Sequence, residues 1–366
     1  MALFDLFRAK HQVVADPFPR DLTREAEQLI NQGNASEDEG NLDAALCLYD
    51  RAIACAPNLA RGYLNRGNAM LQRGDRPGAI RAYREAIQRQ PDHAGAHFNL
   101  GNALYAAGQV EEALLALRQA LTIQPRFSDA QVALGNIYDD LGRLDDAIDS
   151  YGQALVSSPG SADALTNLGL ALCRAKRYND ATQRFQQAID LQPDRPYAVG
   201  NLVSSRLYAC DWCTYEQDID TVLGAIERGV RAISPFQLIP IATSPAAQLH
   251  CGTLYTLDKY PARPPLWRGE RYRHQRIRVA YLSADYHNHA TAVLMARLFE
   301  LHDRECFEVH AISFGWDDCS AMRQRLLGAF EHFIDVRERS DGEVAELLHR
   351  LEIDIAVDLK GYTLNA

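Results

Sequence analysis

The stretch Asn99-Leu100-Gly101-Asn102-Ala103-Leu104 sets two asparagines three residues apart around a glycine, inside what otherwise reads as a helix. Asparagine and glycine are both poor helix formers, so their presence needs a reason beyond local propensity. Related quartets begin at Asn31, Asn65, Asn99, Ala133, Asn167 and Asn201, each 34 residues after the last. A feature returning at a fixed period of this length marks a repeat architecture.

Five prolines fix the register: Pro57, Pro91, Pro125, Pro159 and Pro193. Counting back from each, alanine stands 12 and 5 residues before, glycine 24 before, and an aromatic or leucine 8 before (Tyr49, Tyr83, Leu117, Tyr151, Phe185). Two helices crossing closely need small side chains at the crossing, and a proline that cannot continue a helix ends the second one. The large residue is expected to fill the wedge between neighbouring hairpins. A further glycine at Gly40, Gly74, Gly108 and Gly142 suits the turn inside each hairpin, and Lys176 takes that place in the fifth copy. These columns match the tetratricopeptide repeat, and Asn201 carries the register into a degenerate sixth copy. The fold class expected is an all-α tetratricopeptide superhelix, first helices lining its concave face, over residues 23–210 after an N-terminal extension of residues 1–22.

The asparagines fall on the first helices in two columns. Asn31, Asn65, Asn99, Asn167 and Asn201 form one; Asn34, Asn68, Asn102 and Asn136 form the other, interrupted at Leu170. Residues three apart share a helix face, and each amide offers donors and an acceptor. All nine are candidate peptide-binding residues able to grip an extended backbone. The other reading is that they only cap or bridge adjacent repeats.

Composition narrows the function classes. The net charge is -10 and the pI near 5.6, which disfavours a nucleic-acid partner. No apolar run approaches 18 residues and no signal peptide is visible, so a cytoplasmic protein without a membrane partner is expected. Eight scattered cysteines fit a reducing compartment. Cys210-Asp211-Trp212-Cys213 is a lone CxxC, open to a redox or metal reading or to that of a buried helical turn.

Residues 211–276 read as a helical connector followed by a Pro/Arg-rich linker. "PARPPLWRGERYRHQRIR" (261–278) carries six arginines and one glutamate, a solvated hinge or a phosphate contact. From 277 to 366 the pattern alternates. Strands are expected at 278–283, 307–314, 332–336 and 353–359, with helices at 291–302, 319–330 and 341–352, giving a partial doubly wound α/β domain with a parallel sheet. Beyond the carboxyl ends of the strands lie "SADYHNHAT", "GWDD" and "KGYT". His289 sits in a loop at that edge. His287 and His289 form an H-x-H pair with no third ligand at recognisable spacing. A phosphoacceptor at Asp285 or Asp335 would lack the paired acids such a domain needs.

The repeats together with "LSADYHNHAT", "LFELHDRECFEV", "FIDV" and "VDLKGYT" resemble the protein O-GlcNAc transferase and SPINDLY family, bacterial branch. The resemblance implies an inverting glycosyltransferase moving N-acetylglucosamine from UDP-GlcNAc to serine or threonine of proteins, with no metal and no cofactor. Relatives using GDP-fucose leave the donor sugar open. It implies a catalytic role for His289, matching an N-H-[AP]-T motif, and a substrate-binding loop at Lys360, Gly361, Tyr362 and Thr363. It implies protein or peptide substrates in the solenoid groove and leaves a homodimer open. The family continues beyond "GYT", whereas this sequence ends at Ala366. The expectation is therefore a catalytic region without its nucleotide-binding lobe, an unpaired sheet edge and little transfer. The competing class is a non-catalytic tetratricopeptide scaffold binding protein partners.

Overall fold

The computed structural model describes residues 20–241, 244–260 and 264–361. It divides into two units, Met1–Tyr215 and Glu216–Ala366.

The first unit is a run of antiparallel helix pairs: α1 (Arg20–Asp38) with α2 (Leu42–Cys55), α3 (Ala60–Gln72) with α4 (Arg76–Arg89), and α5 (Ala94–Ala106) with α6 (Val110–Ile123). They continue as α7 (Ser128–Asp140) with α8 (Leu144–Ser157), α9 (Ala162–Arg174) with α10 (Tyr178–Leu191), and then α11 (Ala198–Tyr208). Each second helix stops two residues before a register proline. The turn inside each pair is a left-handed residue: Gly74 has φ +88°, and Lys176 holds the same conformation at φ 59° despite its side chain. Odd-numbered helices approach the next odd-numbered helix at α1–α3, α5–α7, α7–α9 and α9–α11, so they form the inner layer of the stack.

The large residue of each repeat packs toward the following hairpin, Tyr83 sharing a core cluster with Leu100 and Leu104 and Tyr151 with Leu168 and Leu172. It lies flat on the glycine of its own hairpin: a Cβ on Gly67 would come within 2.5 Å of the Tyr83 ring, and one on Gly135 within 2.6 Å of Tyr151. The glycine column exists because the ring occupies the space of a side chain. Tyr49, Tyr83, Leu117, Tyr151 and Phe185 are accordingly buried.

Cys210-Asp211-Trp212-Cys213 departs from the buried helical turn expected. Cys210 takes a left-handed conformation (φ 56°) just past α11, and both thiols are free and exposed. The Cys213 N–H instead donates to the Asp211 carboxylate.

In the second unit, α12 (Tyr215–Glu227), the short α13 (Pro235–Leu238) and α14 (Pro245–Lys259) precede a four-stranded sheet. Its strands are β1 (Ile277–Ser283), β2 (Phe307–Ser313), β3 (His332–Asp335) and β4 (Ile355–Asp358), all parallel, in the order β3-β2-β1-β4. Helices α15 (Ala290–Leu301) and α16 (Ala321–Ala329) cover one face through Val279, Tyr281, Ala296, Phe299 and Leu326. Helix α17 (Asp341–Arg350) covers the other through Ala280, Ile312 and Leu347. Helices on both faces make the sheet doubly wound, as the alternating sequence predicts. Helix α16 begins at Ala321 rather than 319 because the Ser320 hydroxyl accepts the Arg323 N–H and caps it. Among the described residues β4 pairs with β1 alone, and its Ile355 is exposed.

The arginine-rich segment is no free hinge at its carboxyl end. Arg276 pairs with Glu331 at 2.7 Å, Arg278 with Glu308 at 3.4 Å, and His274 bridges Glu352 and Asp354 at 2.9 and 3.1 Å. The charges of Arg276 and Arg278 are thus met by carboxylates of the sheet unit.

Candidate functional site

The sheet order reverses between β1 and β4. In open parallel sheets the crevice beyond the carboxyl ends at such a reversal is where ligands bind. Two sequence-predicted residues converge there. Lys360 Nζ lies 3.2 Å from both carboxylate oxygens of Asp285, and the two side chains are only 10% and 9% exposed. His289 Nδ1 is 3.5 Å from the same carboxylate, and the Thr291 hydroxyl donates to it at 3.5 Å. Asp285, weighed in the sequence only as a phosphoacceptor, is thus the hub joining the loop after β1 to the loop after β4. The signal was its spacing: four residues before His289, in a loop that must curl to start α15.

Each of these residues has a local cause. His289 is the N-cap of α15, its Nδ1 accepting the Thr291 N–H at 3.2 Å. The loop carrying Asp285 is held from beneath by buried groups. The Tyr286 hydroxyl donates to the Tyr281 carbonyl at 2.8 Å, and Arg323 donates to the Tyr286 carbonyl at 3.0 Å. The "GWDD" loop braces it from the side, where the Asn288 N–H donates to Asp318 at 2.8 Å. Burial works against ionising Asp318, but that bond and those from Ser320 hold its carboxyl down to about 2. Gly315 presses against the Ala284 carbonyl so closely that a Cβ has no room. Lys360 is set by Asp358, whose carboxylate accepts the N–H groups of Lys360 and Gly361. Tyr362 and Thr363 lie outside the described residues.

The arrangement offers one buried carboxylate neutralised by an ammonium and one imidazole with a committed nitrogen. While Nδ1 accepts from Thr291, the neutral ring carries its proton on Nε2 and is a donor there. His287 and His289 stand with ring centroids 5.6 Å apart, His287 also 5.2 Å from Trp316.

The asparagine columns form a second candidate surface, on the inner helices. Asn34, Asn68 and Asn136 each accept twice at Oδ1. The tyrosine of the same hairpin donates (Tyr49 at 2.8, Tyr83 at 2.9, Tyr151 at 2.8 Å), and so does the asparagine of the next repeat (Asn65 at 2.7, Asn99 at 3.0, Asn167 at 3.0 Å). Burial, and after it Glu37, pushes the Tyr83 hydroxyl up to about 12, so it stays a donor. These amides therefore do bridge repeats. Each bridge still leaves an amide NH2 on the second column and a carbonyl on the first. Asn31 accepts from Arg61 at 3.2 Å, and Asn201 lies on α11.

Asn102 differs. Its hairpin has Leu117 for tyrosine and the next repeat has Ala133 for asparagine, so both donors are absent, and no hydrogen bond from another described residue reaches its side-chain amide. Leu117 in the tyrosine column and Ala133 in the first asparagine column thus remove both partners of one residue, which is visible in the sequence once the tyrosine column is aligned with both asparagine columns. Beside Asn136 and Asn167 a cavity of about 290 Å³ opens, lined also by Tyr105, Asp139, Asp140 and Leu170.

Comparison with known proteins gives these geometries a context. Residues 245–366 match the model of glycosyl transferase family 41. Residues 64–126, 132–196 and 104–150 match tetratricopeptide-repeat models. The chain is 32% identical over 139 residues to a probable UDP-N-acetylglucosamine--peptide N-acetylglucosaminyltransferase SEC of Arabidopsis thaliana, covering 37% of this chain and 14% of that one. It is 29% identical over 173 residues to a UDP-N-acetylglucosamine--peptide N-acetylglucosaminyltransferase of Caenorhabditis elegans, covering 43% of this chain and 15% of the other. The match thus spans a small part of these relatives' length. Among solved structures, Pseudomonas aeruginosa pilF is similar in fold, with TM-score 0.50 and 17% identity over 63% of this chain and 97% of its own. No helix among the described residues is long and apolar enough to cross a membrane.

Proposed function

We propose that this O-GlcNAc transferase-like chain, tetratricopeptide repeats followed by a glycosyl transferase family 41 segment, handles a nucleotide sugar at the β1–β4 edge and a polypeptide acceptor along its inner helices. The observation that carries the reading is the convergence of Asp285, His289, Thr291 and Lys360 at the reversal of strand order, inside the matched segment. The names of the two relatives supply the substrate classes: UDP-N-acetylglucosamine as donor, peptide as acceptor. GDP-fucose is the competing donor.

Inversion requires the serine or threonine oxygen to attack the anomeric carbon opposite the diphosphate. The new oxygen–carbon bond forms as the bond to phosphate breaks, the electron pair departing with the diphosphate, and the hydroxyl proton passes to a base, which is water or His289 Nε2 once that nitrogen carries no proton. His289 as placed donates from Nε2 and positions an oxygen of the donor or acceptor. It becomes a base at Nε2 only if Nδ1 releases Thr291 and turns its proton to Asp285. Lys360, balanced by Asp285, fixes the crevice wall rather than supplying free charge.

The test is transfer of sugar from labelled UDP-GlcNAc, with GDP-fucose in parallel, to serine- and threonine-containing peptides read by mass spectrometry. Label on peptide hydroxyls, falling about 100-fold in His289→Ala, is the expected result. His289→Asn keeps an N-cap acceptor and separates capping from ring chemistry: activity retained in it assigns His289 to helix capping alone. A chain that binds peptides without any transfer supports the second reading, a binding scaffold, which the cavity beside Asn136 and the uncommitted amide groups favour.

A further inference from the structure

At the other end of the sheet, the amino ends of β2 and β3, three side chains converge that the crevice does not use. Glu308 and His310 stand two apart on β2 and so share a face. His332 on β3 is the register partner of His310. A single oxygen, Glu308 Oε1, lies 3.1 Å from His310 Nε2 and 3.3 Å from His332 Nε2. The two imidazoles stack with centroids 4.5 Å apart, and the three ligand atoms all lie within 4.8 Å of one another.

We propose that Glu308, His310 and His332 form a binding site for a first-row divalent cation, zinc foremost.

The spacing fits. Zinc bound at about 2.0–2.1 Å in a tetrahedron sets its ligand atoms about 3.3–3.4 Å apart, close to the two distances that Oε1 makes. The remaining His–His edge closes by a turn of the His332 side chain, which is 50% exposed and has room to move. His310, 3% exposed, is fixed; its Nδ1 is buried with no partner, which leaves Nε2 as its engaged atom. Glu308 is oriented by arginines on its other oxygen, Arg278 at 3.4 Å and Arg276 at 3.5 Å, and so presents Oε1 to the histidines. Two nitrogens and one carboxylate oxygen suit zinc rather than magnesium or calcium. A cavity of about 420 Å³ with Glu331 and Arg350 on its wall adjoins the cluster, giving the fourth position to water. Each Nε2 coordinates through its lone pair, so a proton that it carries in the metal-free site moves to Nδ1 or to water as the nitrogen–metal bond forms.

The test uses the full chain with Cys210→Ser and Cys213→Ser, which removes the thiol pair that would compete for metal. Titration with cobalt(II) is expected to saturate at one equivalent, with the visible bands of a four-coordinate nitrogen/oxygen site and no thiolate band in the near ultraviolet, and zinc should displace it. His332→Ala, at a half-exposed position, should weaken binding by about 100-fold or more, with circular dichroism verifying the fold. Glu308→Gln keeps the shape and loses the charge, and should weaken binding by about tenfold or more. Equal cobalt affinity in His332→Ala, absence of binding, or a spectrum dominated by thiolate would overturn the proposal.

Discussion

Lys176 stands where four other repeats place glycine, and it holds the same left-handed backbone. A side chain in that conformation costs roughly 1–2 kcal/mol. Lys176→Gly is therefore expected to raise unfolding stability by about 1 kcal/mol, measured by urea titration, with no change of fold. Tyr83 shows the opposite kind of constraint. Tyr83→Phe deletes one of two donors to Asn68 and should cost about 1 kcal/mol, while its ring stays on Gly67. Asn102 is the place to separate binding from structure. Replacing Asn65, Asn99 or Asn167 removes a bridge between repeats, whereas Asn102→Ala breaks no side-chain hydrogen bond among the described residues. Peptide affinity that falls in Asn102→Ala at unchanged stability assigns that amide to recognition; unchanged affinity removes it.

Among the elements, the columns of small and large residues were legible because each repeat writes them again, and the four strands because apolar runs alternate with amphipathic helices. The asparagine network was less legible. Its bonds join residues 15 and 31 apart, so neither column explains itself alone. Asp285 was obscured for a related reason: a carboxylate in a polar loop looks ordinary until β4 brings Lys360 beside it. The exposed CxxC ran against expectation because a left-handed Cys210 ends the helix that would have buried it. The segment before β1 was misread as free because its acidic partners lie far along the chain. His274 there donates to the carboxylates of Glu352 and Asp354, and these bonds, that to Glu352 first, raise its pKa above the usual value of about 6.5. A raised value means that this contribution to stability is complete below about pH 6.5 and is lost as the pH climbs through the folded-state value. Thermal unfolding followed from pH 6 upward should show the native chain losing stability with a slope that His274→Gln lacks.

For the molecule as a whole, two units divide two tasks: the repeats carry a row of amide donors and carbonyls, and the sheet carries a crevice at the reversal of its strand order. Asp285, His289 and Lys360 meet at that crevice, inside the segment that matches glycosyl transferase family 41. Nucleotide recognition is the central claim at this scale. Its most direct measurement is a calorimetric titration of the chain with UDP. The account predicts saturable one-to-one binding that UDP-GlcNAc displaces. A flat titration with a correctly folded chain would contradict it and leave the repeats, as a peptide-gripping module, to carry the function.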